Sequence, residues 1–555
     1  MRRLLLSVFC FIAAVSSPQL AEAQTSAAKE RLLHYLDQPF ACQLTKVSVS
    51  SDLVHIEGCV PSGKDAVWIA DIPIDVVLGS PEAWNTRLKI EPNTDGQFAI
   101  DVPRYRKRHG LNYDRLTSRW QLVQESTDGI TPLSSARYPL SVVCRSPNLP
   151  PANPKNKKGL GGWHTGRLPN EIDDLGISAV TVNVMIHTLV QLEPGKDTFP
   201  IQWQGRTYHA KKNALERLDN GFIEAQKHGL MVSVIVLVAN PAKAPSPVVK
   251  LLGHPDATKD GIFAMPNVTS AEGIGIFGAI LNLMAERWSR PDGMYGRVHH
   301  WIMHNEVDAG WEWTNAGEKS SESYLDLYQR SMRLMDLIAR QYDPNTRPFI
   351  SLTHHWAWHG AEHWYGSKRL IDLLVRFCKV EGDFPWAVAY HPYPQSLLKP
   401  RTWEDSDATY TFETKKITPK NLEVLDAYMK QKKLRFEGSL RPVHLSENGF
   451  NSPDYSEKSL EDQAAGMALA WNKIQPLESI KMWHYHNWID NHGEGELRIG
   501  LRKYPDDKDD PFGKKPIWYL YQSLGTAKEQ EVAHPYLKTI KIESWKQVIH
   551  DGEIR

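Results

Sequence analysis

Between Gly159 and about residue 525 the chain repeats one alternation eight times, a short apolar run followed by a polar-apolar stretch of helical or loop character. The apolar runs fall at 159–163, 178–186, 231–239, 297–306, 348–355, 386–391, 442–447 and 480–486. Helical periodicity fills 171–175, 210–228, 274–288, 323–342, 368–378, 421–431 and 461–474. In 210–228, Ala214, Leu215, Leu218, Phe222 and Ala225 share one face at a 3.6-residue period. Strands separated by helices predict parallel pairing, and eight such units over this length predict an α/β fold, a (β/α)8 TIM barrel spanning 159–525. A doubly wound open sheet is the competing arrangement. It is disfavoured because no glycine-rich phosphate loop of the G-x-G-x-x-G or Walker type opens a helix. Long insertions at 240–270, 394–417 and 487–515 all follow strands, which places them on the face where barrel enzymes build their sites.

What precedes the barrel has a different texture. Arg2 and Arg3, an apolar stretch over 4–15, and Ala21-Glu22-Ala23 read as a signal peptide, 1–23, with Gln24 as the new N-terminus. The expected location is therefore secreted or periplasmic. That apolar stretch is too short to span a bilayer, and no later run reaches the ~20 residues required. A short helix is expected over 25–40. Alternating segments such as LVHIEGCV and QFAIDV then predict a small β-sandwich, making 24–145 an accessory domain that packs on the barrel. Residues 146–158 hold four prolines and three lysines and read as a linker. Residues 526–555 form a C-terminal extension. Of Cys42, Cys59, Cys144 and Cys378, one bridge is expected near the N-terminus, either Cys59–Cys144 or Cys42–Cys59. Lys and Arg number 65 and Asp and Glu 65, so no diffuse positive surface favours nucleic acid.

Two glutamates end strands of the eightfold series: Glu306 in WIMHNEVD on the fourth and Glu447 in PVHLSENGF on the seventh. Partial burial at the polar end of an apolar strand separates the roles of two carboxyl groups. One proton donor and one carboxylate is what glycosidic cleavage requires. Eleven of the 19 tryptophans lie between Trp301 and Trp488. Trp301 and Trp471 fall inside regular elements and read as core, whereas Trp311, Trp313, Trp356 and Trp358 follow strand ends, where sugar rings stack. His355 and His486 are expected to hydrogen-bond sugar hydroxyls.

With Asn305-Glu306 ending the fourth strand and Glu447 the seventh, the barrel resembles the clan A retaining glycoside hydrolases. That resemblance implies Glu306 as acid/base, Glu447 as nucleophile, and Asn305 as the residue that binds the sugar 2-hydroxyl. It also implies Tyr393, with His391 beside it, as a contact of the nucleophile and Trp483 as the floor under the reacting sugar. The strand-2 Arg and strand-3 His of that group have no evident counterpart; Asn183, His187 and Asn240 are the available substitutes. The implied substrate is a poly- or oligosaccharide, at a β-linkage, with no metal or cofactor.

Two other readings compete. A silent carbohydrate-binding barrel would keep the tryptophans but would not need both glutamates. A metal-dependent barrel hydrolase would use His354, His355, His391, His484 and His486. Arg498, Arg502 and Lys503 could meet an acidic sugar, although Asp506 to Asp510 balance them in the same loop, and His164 and Arg167 stay open. Oligomeric state is not readable from the sequence.

Overall fold

The computed structural model describes residues 18–61, 66–127, 129–168 and 170–555, with side chains from Ser26 onward. Residues 1–17 of the expected signal segment lie outside the described residues, and 18–23 form the start of a helix, Pro18–Asp37.

Two four-stranded sheets follow that helix. One runs Ser141–Val142, Gln43–Val49, Leu53–Cys59, Gln97–Pro103, and the other Arg87–Ile90, Val67–Pro73, Ser118–Ser126, Gly129–Pro132. Alternation does the work: Val54, Ile56 and Gly58 turn inward from one strand while Leu53, His55 and Cys59 do not. Val54 and Ile56 meet Ile69, Trp120 and Leu122 of the other sheet in one apolar core, the expected sandwich. The expected disulfides are not formed. Cys59 is exposed at a strand end and Cys144 half-buried beyond the last strand, and neither is bridged. Spacing in sequence cannot fix the Cα separation that a bridge demands.

Up to residue 157 the proline-rich stretch has no helix or strand, its last residue, Lys158, opens the first barrel strand, and its carbonyls tie it to the barrel. Asn345 Nδ2 donates to Leu149 O at 2.6 Å and Arg297 Nη2 to Pro150 O at 2.7 Å. The barrel strands are β1 (Lys158–Leu160), β2 (Ala179–Met185), β3 (Met231–Leu237), β4 (His300–Met303), β5 (Arg347–Leu352), β6 (Ala387–Tyr390), β7 (Val443–Asn448) and β8 (Ile480–Tyr485). All neighbours pair in parallel, and Gly159 opposite His484 closes the ring. The helices after them are α1 (Glu171–Leu175), α2 (Lys212–Lys227), α3 (Ala271–Trp288), α4 (Ser321–Ala339), α5 (Ser367–Glu381), α6 (Leu422–Met429), α7 (Glu457–Ile474) and α8 (Pro516–Ser523). Ile235, Leu237, Ile302, Phe349, Ala387 and Ala389 fill the barrel interior, and the opposite faces of the strands join the helix layer.

One element was not expected. Between β2 and α2 the chain makes a three-stranded sheet of Val190–Gln191, Arg206–Lys211 and Thr198–Trp203. Its hairpin turns at Gln204-Gly205, both with positive φ, a short-turn signal that strict alternation around it would have exposed. The C-terminal residues pack on α7 through Ile540, Trp545 and Val548. No helix among the described residues is long and apolar enough to cross a membrane.

Candidate active site

β4 ends in a sharp backbone turn. His304 and Glu306 have φ of 63° and 40°, in the left-handed region that non-glycine residues avoid. Such a conformation costs about 1–3 kcal/mol and persists only where surroundings impose it. Here they do: His304 bonds Val236 O at 2.9 Å and Ser331 Oγ at 2.7 Å, and Ser351 Oγ accepts from Glu306 N at 3.0 Å. The result aims the Glu306 carboxyl across the mouth of the barrel. On β7 the register with β8 shifts between Leu445 and Asn448, and there two consecutive residues reach the segment after β6, Ser446 meeting His391 and Glu447 meeting Tyr393.

His391, after β6, stands between the two carboxylates. Its Nδ1 is 2.9 Å from Glu306 Oε1 and 3.9 Å from Glu447 Oε2, while Nε2 meets Ser446 Oγ at 3.1 Å. Tyr393 Oη donates to Glu447 Oε1 at 2.7 Å. One ligand-capable atom of each of Glu306, His391 and Glu447 lies within 4.8 Å of the others. Their exposures differ usefully: His391 is fully buried, while 15% of the Glu306 side chain and 24% of the Glu447 side chain face solvent.

The electrostatics divide the cluster. Burial alone would raise the Glu447 carboxyl, but the charges of His486 and His391 and the Tyr393 hydroxyl outweigh it and hold it below the usual carboxylate range. Burial would lower His486, yet Glu447 and the hydrogen bond to Glu494 push it up to about 9, so it is an imidazolium at neutral pH. Glu494 Oε2 lies 3.1 Å from His486 Nε2, and Glu494 Oε1 accepts from Asn487 Nδ2 at 2.8 Å. His391 is opposed by burial and raised by Glu447 and Glu306.

The remaining expected contacts divide. Asn305 is half-buried beside Glu306, its carbonyl accepting from Thr314 Oγ1 at 2.8 Å. His355 is enclosed by Trp358 and Trp364 edges, and burial together with Lys416 pushes it down to about 4. Trp356 is corrected to core: it is fully buried, donates to Phe412 O at 3.0 Å and packs edge-on against Tyr428. Trp483 is corrected too. It points from β8 into the helix layer against Trp471 and Tyr521, because inward and outward positions alternate and His484 and His486 take the other side. Its Nε1 donates to Asn448 Oδ1 at 2.9 Å and Asn448 Nδ2 to Pro392 O at 2.6 Å, so it braces the Glu447 and Tyr393 segments from behind. Trp311 stacks on His363 at 4.3 Å and lines a separate cavity of about 1070 Å³ between the N-terminal helix, the sandwich and the barrel.

Asn183 is exposed on the cleft wall, but Asn240 is spent on its own loop, donating to Thr258 O at 2.8 Å and Gly261 O at 2.7 Å. His187 is half-buried, lowered by burial, and lies off the cleft. The five-histidine cluster does not assemble. His484 faces the barrel interior near His444, at 6.3 Å between rings, and His354 and His355 lie against each other at 4.3 Å. Arg502 bonds buried Glu171 at 2.7 Å, Lys503 pairs with Asp510 at 3.3 Å, and Arg498 donates to Pro453 O at 2.6 Å, which leaves that trio structural. Two neighbours of the site had no sequence signal. Glu494 ends a one-turn 3-10 helix, His492–Glu494, within a long loop, and buried Asp308 accepts from Thr353 Oγ1 at 2.5 Å and Ser367 Oγ at 2.8 Å, its carboxyl raised by burial to about 6.

Fold and site together define a closed (β/α)8 barrel that carries a histidine-bridged pair of carboxylates at the C-terminal ends of β4 and β7. Residues 150–548 match one family model, and the chain belongs to that family, described as a family of unknown function (DUF5722). No curated protein matches the sequence. Among solved structures it is similar to a family 39 glycoside hydrolase from the gut symbiont Bacteroides cellulosilyticus WH2, at 15% identity and a TM-score of 0.43 over 88% of this chain and 83% of that one. It is also similar to a β-glucosidase from Thermotoga maritima, at 12% identity and TM-score 0.39 over 65% and 86%. An exo-β-1,4-mannosidase from Opitutaceae bacterium strain TAV5 follows at 14% and 0.40, over 72% and 62%.

Proposed function

We propose that the protein is a retaining glycoside hydrolase acting on a β-linked poly- or oligosaccharide, exported to the periplasm or beyond, with Glu447 as nucleophile and Glu306 as acid/base. The observation that carries this reading is the spacing: oxygens of the two carboxylates lie within 4.8 Å. Retention needs carboxyl groups about 5–5.5 Å apart, whereas inversion needs about 6.5–9.5 Å to admit a water. Glu447, held ionised by its two histidines and Tyr393, attacks the anomeric carbon as Glu306 gives its proton to the leaving oxygen. Glu306 then takes a proton from water, and the hydroxyl so formed displaces Glu447 from the glycosyl ester. Asn305 and the imidazolium of His486 border the sugar.

A second reading rests on the same three side chains, since Glu306, His391 and Glu447 could close on a divalent metal. Hydrolysis of an aryl-glycoside and polysaccharide panel by wild type, Glu306→Gln and Glu447→Gln, with and without EDTA, separates the two. The retaining reading expects loss in both variants, indifference to EDTA, and a product of unchanged anomeric configuration. Activity that dies with chelator, or that survives Glu447→Gln, sinks it.

A further inference from the structure

A continuous cleft of about 970 Å³ leads from Glu447 and His486 past Asn183 and the 162–168 loop to the flank of α2. Its charges do not balance along its length. Each carboxylate on its walls other than Glu447 already has a cationic partner. Glu494 lies 3.1 Å from His486, Asp506 3.1 Å from His492, and Asp490 3.0 Å from the buried Lys515. Arg167 and Arg217 line the same cleft, and among the described residues neither has a carboxylate partner. Both are exposed, and the single side-chain bond of Arg217 is a long one to its own helix, Nε to Asn213 O at 3.3 Å. Some exposed arginines pair with carboxylates, as at Arg87–Glu125 and Arg376–Asp37, and others such as Arg435 bond only backbone carbonyls; what sets Arg167 and Arg217 apart is that both unpaired guanidiniums line the cleft that holds Glu447.

The loop that carries Arg167 is seated rather than free-standing. Gly162 has φ of 70°, and a Cβ there would lie 1.9 Å from Asn487 Oδ1, so the loop begins in direct contact with the end of β8. Arg167 therefore shares a wall with the residues that flank Glu447, while Arg217 faces it from α2.

We infer that this part of the cleft is a subsite for an anionic sugar, and that the substrate is a glycan carrying carboxylate or sulfate groups. The inference rests on the glycosidase reading for the chemistry at Glu447, but not for the binding itself. Guanidinium is the side chain that matches both anions with parallel N–H donors, and it stays charged at any working pH. The unsatisfied pair would also draw an anionic chain toward the carboxylates that must cut it.

The test is binding to the intact chain bearing Glu447→Gln, so that turnover does not interfere. Titration calorimetry compares three oligosaccharide sets of equal length: uronate oligomers without sulfate, sulfated oligomers without uronate, and neutral gluco- and manno-oligomers. The expected result is one anionic set binding at least about tenfold tighter than the neutral set at low salt, the margin that one well-formed charged contact supplies. That margin shrinks with added salt and is abolished by Arg167→Gln with Arg217→Gln, which as exposed residues leave the melting temperature unchanged. Which anionic set binds tells carboxylate from sulfate. Equal or tighter binding of neutral sugars, absence of binding by both anionic sets, or a preference that survives the double substitution overturns the inference. The two failures are distinguishable. Glycosides cleaved in a Glu306- and Glu447-dependent way with no binding preference for either anionic set would remove the anionic subsite and keep the hydrolase, whereas anion binding with no dependence of hydrolysis on the glutamates would do the reverse.

Discussion

Of the clusters of buried charge among the described residues, two that lie at opposite kinds of place are built from different materials. At the seam between sandwich and barrel, Arg119 and Glu381 are both wholly buried and 3.9 Å apart. Tyr35 Oη donates to Glu381 Oε1 at 3.3 Å and Gln329 Nε2 to Glu381 Oε2 at 3.1 Å, with the Asp326–Arg330 pair alongside. At the mouth of the barrel, Glu306 and Glu447 face histidines and a tyrosine, with no arginine among their partners. Arginine keeps its proton whatever its surroundings, so the seam is a fixed lock. Histidine exchanges its proton near neutral pH, so the cleft can change charge during a reaction. The difference teaches that burial of charge alone does not mark a functional site; the choice of cation does.

The largest expected effect breaks the cleft side. Glu306→Gln removes the proton donor and lowers kcat by about 10²- to 10⁴-fold, with a smaller loss on aryl glycosides whose leaving group needs no proton. A uniform loss across all leaving groups would remove Glu306 from the acid role. On the seam side, Glu381→Leu leaves Arg119 buried without its partner and costs about 3–5 kcal/mol, read by urea unfolding, while kcat per folded molecule is unchanged. Adding Arg119→Met restores part of that loss, because it removes the unpaired charge while Tyr35 Oη and Gln329 Nε2 still lack their acceptor. A double variant no better than the single would show that the seam is not a lock between these two charges.

Next in size is Tyr393→Phe, which deletes the hydroxyl donated to Glu447 at 2.7 Å. Hydrogen bonds to charged groups contribute about 1.5–3 kcal/mol, so kcat/KM falls about 10- to 100-fold. That hydroxyl lowers the Glu447 carboxyl, so its removal also moves the acid limb of the pH–activity profile to higher pH. An unmoved limb would mean that Tyr393 orients substrate rather than the carboxylate.

The framework was legible because it repeats. Eight apolar runs and the helices between them are a periodic signal, and each barrel strand falls on the run expected for it, with β1, β5 and β7 reaching one residue beyond. Glu306, His391, Tyr393 and Glu447 were findable because parallel strands of one barrel deliver their C-terminal ends to one place. What sequence could not give is the direction of a side chain. Trp483 and His484 are neighbours, yet one enters the helix layer and the other the barrel, and only the strand register decides which. Trp356 and Trp311 were misassigned for a related reason, since a loop after a strand end can fold back as core or face another cavity. Glu494 comes from a loop without periodicity, and its meeting with His486 depends on the path of that loop alone.

That meeting gives the smallest effect, and the one that tests the comparison most closely. His486 stands raised to about 9 against an ordinary 6.5 by the charge of Glu447, by the hydrogen bond and charge of Glu494, and last by the charge of Glu306. A histidine that binds its proton more tightly in the folded state contributes stability that is fully present below pH 6.5. It is lost as pH rises from there through about 9. Glu494→Gln retains a side chain of the same size but withdraws the second carboxylate. Allowing for the 20% of the His486 side chain that solvent reaches, the variant is destabilised at pH 6 by on the order of 1–2 kcal/mol and by little at pH 9.5. The wild-type decline in stability across that interval is correspondingly flattened. The same substitution leaves the seam untouched, so Glu381→Leu in the Glu494→Gln background should add its full cost at both pH values. A decline of unchanged steepness would show that Glu447 alone holds the proton on His486 and that the cleft, like the seam, needs only one partner for its cation.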